Sequence, residues 1–246
     1  MEGDSPSIMH TMMNGLNGGP FDHAEWSGWG GRYNLLDLTR QTMVYSDARD
    51  NVVGMNNQTF TSNQATIRRW RQAYQNEMSA RVQWSVLGNY SAGSHPPVVS
   101  VNGSCGSAPL IVDSVSPGQV VTMDASGTYD PDANLTNRNP LQYHRFHYRE
   151  PTATQSNIAE VPLLNFTLSD GGRIASTKLP PAGTACAAPQ PLQAAQGVQE
   201  TCQQYHVILE VTGSGEPPIR RYQRVILKVQ PPKDGEEGSK RRRDEL

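Results

Sequence analysis

From Pro97 to Gln230 the chain is a succession of short apolar runs divided by turn residues. PVVSVNG, LIVDSV, GQVVTMDAS, LQYHRFHY, VPLLNFTLSD, HVILEVTG and RRYQRVILKVQ are rich in Val, Ile, Leu and aromatic side chains, with Gly, Pro, Asn and Asp between them. Each run has the length of a strand, and no helical period intervenes. Such a pattern predicts an antiparallel β-sandwich of the immunoglobulin-like kind.

The part before it has another character. Thr61 and Gln64 have capping-box spacing, and Ile67, Trp70, Tyr74, Met78 and Val82 recur at intervals of three and four, which predicts a helix with that stripe on a core. Arg68, Arg69, Arg71 and Arg81 lie elsewhere around it, as a solvated face or as partners for Glu77 and neighbouring carboxylates. Ser5 and Pro6 have the character of an N-cap and first helical residue, with Ile8, Met9, Met12 and Met13 as a buried stripe. That opening resembles the inside of a domain, so the chain is expected to be a piece of a longer one. Residues 34 to 60 read as loop-rich. GNYSAGSHPP has the composition of an exposed linker. The expected layout is therefore an α/β fragment at 1–88, a linker at 89–97, an all-β domain at 98–232 and a charged, disordered tail at 233–246.

Within the first part, WSGWGGRY sets Trp26, Trp29, Arg32 and Tyr33 on three glycines. Glycine-rich runs make tight turns. The rings either stack on a sugar, with Arg32 donating to a hydroxyl, or pack into a core for which the glycines make room. The working assignment is carbohydrate recognition by these four residues.

Composition narrows the partners. A net charge of −2 with basic residues dense only at the C-terminus gives no cationic face for nucleic acid. No apolar run is long enough to span a bilayer, and oligomeric state is unreadable. Sequons at Asn57, Asn89, Asn102, Asn134 and Asn165 lean toward the secretory route. Cys186 and Cys202 flank a Pro/Ala/Gln-rich segment, where a disulfide would contribute roughly 3 kcal/mol, leaving Cys105 over. The alternative is three reduced thiols. KRRRDEL ends close to an endoplasmic-reticulum retrieval signal; a solvated tail and a nuclear-import run are its competitors.

No catalytic constellation is self-contained. Asp124, Asp130 and Asp132 in DASGTYDPD either cap a turn or ligate calcium, and the small ligand number favours the turn. His144 and His147 fall on opposite faces of a strand. No GxSxG, HExxH or phosphate-binding loop is present.

EGDSPS, NGL, EWSGWGGRY, RRWRQAYQNEMSARVQW, HPP, SGTYDPD and HVILEVTGSGEPPIRRYQRVIL, in that order, resemble the secreted cellulose-binding proteins that join a nucleoside-hydrolase-like domain to a C-terminal immunoglobulin-like domain. The resemblance implies that residues 1–88 are the end of the hydrolase-like domain and that the chain binds cellulose or another polysaccharide at the cell wall. It implies no catalysis by this chain, because the early aspartate cluster that binds calcium in nucleoside hydrolases is absent; calcium belongs to full-length relatives. Asp4 is the counterpart of a late metal-binding aspartate, with Gly3 where a substrate-binding histidine often stands. The other reading is a remnant of a calcium-dependent N-ribosyl hydrolase. The family also shows a tryptophan near Arg145 and an aspartate where Gly213 stands, leaving Phe146 and Tyr148 as substitute platforms.

Overall fold

The computed structural model describes residues 5–16, 23–37, 41–54, 56–134, 140–153, 161–186, 195 and 202–231. Asp4 and the tail at 233–246, with its KRRRDEL ending, lie outside them. The first 88 residues form α1 (Ser5–Thr11) and two small antiparallel hairpins. β1 (Tyr33–Leu35) pairs with β2 (Tyr45–Asp47), and β3 (Asp50–Val53) pairs with β4 (Thr59–Ser62). Then come α2 (Ala65–Arg68) and α3 (Arg71–Val86). The rest is mostly strand: β5 (Ser100–Val101), β6 (Ser104–Cys105), β7 (Leu110–Val115), β8 (Val120–Asp124), β9 (Gln142–Tyr148), the short α4 (Arg149–Thr152), β10 (Thr167–Ser169), β11 (Ile174–Lys178), the short α5 (Ala182–Ala185), β12 (Gln204–Thr212) and β13 (Arg220–Val229). The architecture is thus mixed α/β with most of its order in sheets.

Two sheets share one core. One has strand order β7-β13-β12-β9 and the other β10-β11-β8. All pairs are antiparallel except β7, which runs parallel to β13. Side chains alternate along a strand, so Tyr205, Val207, Leu209 and Val211 of β12 share a face with Val225 and Leu227 of β13. That face meets Val121 and Met123 of β8 and Leu179, which directly follows β11, in one buried cluster.

The other face of the four-stranded sheet is buried as well. Ile208, Tyr222 and Tyr148 pack there against Leu16, Trp29, Trp70 and Ala73. Trp70 is the centre, its ring 5.6 Å from Tyr222 and 6.0 Å from Tyr148, both edge-on. Burial on both faces explains why β12 reads as a nearly continuous apolar run instead of an alternating one.

Several expectations are corrected by this packing. The 89–97 segment is not a solvated linker: Ser94 is buried, and its carbonyl accepts from Trp84 Nε1 at 2.8 Å. Residues 1–88 do not stand apart from the sheets but cover one of them. In α3 the buried face runs through Ala73, Glu77 and Ala80, while Met78 and Val82 are exposed, a rotation of about one residue step from the apolar stripe. A carboxylate displaces the apolar residues because two arginines neutralise it. Arg81 donates to Glu77 at 2.7 and 3.0 Å, and Arg221 of β13 at 2.7 and 3.1 Å. No Thr61 capping box forms, since Thr61 lies in β4; Ser62 Oγ accepts the Ala65 N–H instead. In α1 and the two residues after it, Ile8 and Met13 are exposed, and Met9 and Met12 alone of that stripe reach the core. β11 was missing from the expected strands because its sequence, IASTK, carries little apolar signal.

One shared core predicts one transition. All four tryptophans, Trp26, Trp29, Trp70 and Trp84, lie before residue 89, whereas most strands lie after it. Thermal unfolding followed by tryptophan fluorescence and by far-ultraviolet circular dichroism is expected to give coincident midpoints. Two separated midpoints would show that the first 88 residues melt on their own.

Candidate functional site

The WSGWGGRY loop closes through a pair of backbone bonds between Gly28 and Gly31, at 3.0 and 3.1 Å, with Trp29 and Gly30 at the corner. The glycines serve close packing. A Cβ on Gly30 would lie 2.3 Å from both Pro6 O and the His10 ring, and Gly31 has φ +107° with Thr66 Oγ1 2.9 Å from the corresponding position. Trp29 points inward and is 1% exposed, edge-on to Tyr222. This corrects its assignment as a sugar platform, because a ring sealed in a core has no open face.

The other three residues of the loop are also committed. Arg32 donates through Nε to Asp50 at 2.7 Å, through Nη2 to Arg49 O at 2.9 Å and through Nη1 to Asn34 at 3.2 Å, so all three of its guanidinium nitrogens are engaged within the protein. Trp26 is half-buried and has one face covered by His23, 3.7 Å away and parallel. Tyr33 is half-buried beside His10. The loop is a structural keystone.

Two buried polar groups lock it to the sheet. Asp50, at the start of β3, accepts from Arg32, from Arg69 Nη1 at 2.6 Å and from the Tyr148 hydroxyl at 2.6 Å. The Arg69 guanidinium also lies 4.2 Å from the centre of the Tyr148 ring. Burial pulls the Arg69 guanidinium down, yet Tyr148, Glu150 and Asp50 outweigh it and hold the charge more firmly than usual. Burial raises the Tyr148 phenol, so it remains a donor.

Arg224 of β13 is the second. It is fully buried and donates to the carbonyls of Leu16 (2.5 Å), Trp26 (2.8 Å) and Ser27 (3.2 Å), and to His206 Nδ1 at 3.0 Å. Burial brings its guanidinium down to about 10, which leaves it charged at neutral pH. His206 is held neutral, first by burial and then by Arg224, and accepts through Nδ1.

A different set of rings reaches solvent, with Tyr90 exposed and Trp84 and His95 half-buried. At the end of α3, Trp84 is parallel to His95, with centres 6.0 Å apart, and His95 stacks on Tyr90 at 3.6 Å. Asp132 is buried and accepts both the His95 backbone N–H (2.8 Å) and its Nδ1 (2.7 Å). Asp130 in turn accepts Ser214 N at 3.0 Å and Asp132 N at 2.9 Å. Asp124 accepts Ser126 N. The DASGTYDPD carboxylates therefore cap turns and clasp the segment at 93–97 to the loop between β12 and β13. Trp84, Leu87, Asn89, Tyr90 and His95 line a cleft of about 320 Å³. Reading that segment as a linker hid this cleft, although Tyr90 and His95 in a short Gly/Pro stretch were a visible signal.

Other residues singled out in the sequence are dispersed. Cys186 and Cys202 form a disulfide and Cys105 is a free, exposed thiol. All five sequon asparagines are exposed. His144 is exposed and His147 buried, on opposite faces of β9. Tyr148 is fully buried and Phe146 packs against the same cluster, which removes both as open platforms. Among the described residues no group of three or more His, Cys, Asp or Glu is arranged to hold a metal.

Residues 120–229 match the family model described as the C-terminal domain of cellulose-binding protein Sde0182. A solved structure resembles nearly the whole chain: a nucleoside hydrolase-related hypothetical protein from Saccharophagus degradans, associated with carbohydrate metabolism, is 26% identical with a TM-score of 0.63. The likeness covers 94% of this chain and 48% of that one, so the chain spans about half its length. No curated protein matches. The resemblance noted in the sequence is thus present at both levels, to a cellulose-binding family in the C-terminal part and to a nucleoside hydrolase-related protein along the chain.

Asp50→Asn is expected to destabilise by about 3–5 kcal/mol in urea unfolding, because Arg32 and Arg69 lose a buried counter-charge. Tyr148→Phe removes one donor to a charged acceptor and is expected to cost less, about 1.5–3 kcal/mol. Equal, small effects would show that Asp50 is solvated.

Acid sensitivity follows from the histidines. Burial, then Arg149, brings His147 down to about 3, and His206 is also well below its ordinary value. A histidine with a depressed folded-state value contributes stability that is complete above the unfolded value, roughly 6.5, and is lost as pH falls. Unfolding free energy measured from pH 7 to pH 5 is expected to decline toward a slope of about 2.7 kcal/mol per pH unit, two protons' worth. A flat profile over that window would contradict it.

Proposed function

We propose that this chain binds polysaccharide, cellulose or a related cell-wall glycan, outside the cell or at its surface, and that it holds the glycan without cleaving it. The observation that carries this reading is the match of residues 120–229 to the C-terminal domain of a cellulose-binding protein. The carbohydrate-metabolism association of the similar solved protein supports it. So does the solvent-exposed cleft of Trp84, Tyr90 and His95, since ring faces are what apolar sugar faces stack on. In this reading the two facing sheets are an immunoglobulin-like module, and the exposed sequon asparagines and the Cys186–Cys202 disulfide suit a secreted glycoprotein.

A second reading, a remnant of a calcium-dependent N-ribosyl hydrolase, is favoured by the likeness to the nucleoside hydrolase-related protein. Its metal would depend on Asp4, which lies outside the described residues.

Sedimentation with insoluble cellulose and chitin separates the readings. Retention on cellulose above that of an unrelated protein of similar charge, unchanged by calcium, is expected. Background retention on both polymers, together with ribose release from nucleosides in the presence of calcium, would replace binding by hydrolysis.

A further inference from the structure

We infer that the cleft at the end of α3 is a sugar subsite that takes a pyranose ring of a β-linked glucan on the open face of Tyr90, an assignment that rests on the polysaccharide-binding reading. Tyr90 is 65% exposed although it lies in a segment fastened at both ends. Its inner face is occupied by His95 at 3.6 Å, and its remaining surface is turned to solvent.

The rings are set before any ligand arrives. Buried Asp132 fixes His95 through two hydrogen bonds, His95 backs Tyr90, and the Trp84 indole is anchored to Ser94 O. Gly93 closes the Trp84 side, where a Cβ would lie 2.9 Å from the indole. Pre-set rings lose little rotamer freedom on binding, which is where exposed aromatic contacts otherwise lose affinity.

The geometry selects the ligand class. A planar base held between two rings needs two van der Waals gaps, about 7 Å. Here Tyr90 and His95 already touch, and the Trp84 and His95 centres are 6.0 Å apart, so no slot exists for a sandwiched base. A ligand must lie on one open ring face and reach polar groups at its edge. A pyranose has that form, with an apolar C–H face and a rim of hydroxyls. The rim would meet the Asn89 side-chain amide and His95 Nε2, neither of which donates to another group among the described residues. The Arg81 guanidinium, 5.5 Å from the Trp84 ring, disfavours a cationic ligand. A volume of about 320 Å³ suits one or two sugar rings and lies at the lower end for small-molecule sites.

Asn89 is also a sequon residue, so an attached glycan would stand on the rim. Ser91→Ala removes the sequon while keeping the Ser91 N–H that Asn89 Oδ1 accepts at 3.2 Å. Cellohexaose is titrated calorimetrically into the full chain carrying Ser91→Ala, alone and with Tyr90→Ala, Tyr90→Phe or Phe60→Ala. Tyr90→Ala is expected to weaken binding about fivefold or more, as the loss of one stacking ring should, without lowering the melting temperature. Tyr90→Phe is expected to retain binding, and Phe60→Ala, on the β3–β4 hairpin, to leave it unchanged. Equal affinity in the Tyr90→Ala chain would overturn the subsite, as would adenosine competing for Tyr90 in place of cellohexaose. Retention on insoluble cellulose with no Tyr90 dependence would sink the cleft and leave the polysaccharide reading standing. Absence of binding to both soluble and insoluble glucan would remove both.

Discussion

The pairing of β12 with β13 is buried on both faces, and the rest of the structure follows from that constraint. Backbone polar groups in such a pair have no water to turn to, so the ladder between Gln204–Thr212 and Arg220–Val229 must be continuous, as it is over nine residue pairs. One face is closed by β8 and β11 of the second sheet. The other is closed by the first 88 residues, which therefore act as a cover and not as a separate body. Apolar contact alone would let that cover slide. Arg224, Asp50 and Glu77 prevent this, because each is buried and satisfied only in one docking orientation. Their net contribution to stability is modest, since burying charge is costly even when it is paired, but a shifted cover would leave each charge unpaired.

Much of this arrangement was legible in the sequence, for physical reasons. Strands that alternate or run apolar between turn residues announce themselves, and so β7, β8, β9, β12 and β13 fall where the pattern puts them. β11 does not, because Ser176, Thr177 and Lys178 look like loop and are drawn into the sheet by pairing with Val120, Val121 and Thr122. The helical span at residues 65–86 was visible, but its break into α2 and α3 and its buried side were not. Sequence hydrophobicity put Met78 and Val82 inward, whereas Glu77 is inward because Arg221 lies 144 positions away in the chain and next to it in space. A long-range ion pair leaves no local trace, and it overrides the local apolar count.

The same reasoning explains the reversal at WSGWGGRY. Glycines beside tryptophans signal close approach, but whether the approaching surface is a ligand or the protein itself depends on what lies opposite. Here it is Pro6, His10 and Thr66 for the glycines and Tyr222 for Trp29. Conversely, GNYSAGSHPP has the composition of a solvated connection and is fixed by Asp132, 37 residues on. That carboxylate, whose spacing in DASGTYDPD suits a turn or a metal, orients a histidine. Composition describes what a segment does alone; a buried carboxylate elsewhere decides whether it is held.

In the proposed reading, recognition and scaffold are divided between two sets of aromatic residues. Trp29, Trp70, Tyr148 and Tyr222 are spent on the seam between cover and sheet, where their area is worth most as core. Tyr90 and Trp84 stand at the edge of that seam, where the end of α3, the fastened segment and the turn carrying Asp132 converge. Such junctions produce concave surfaces because elements of different curvature meet without filling the space between them, and ligand sites concentrate there. Rings on a free linker would have to be ordered by the ligand. Rings fixed by Asp132 are ordered by the fold, so the same buried clasp that keeps residues 93–97 against the sheets also sets the ring face of the proposed subsite.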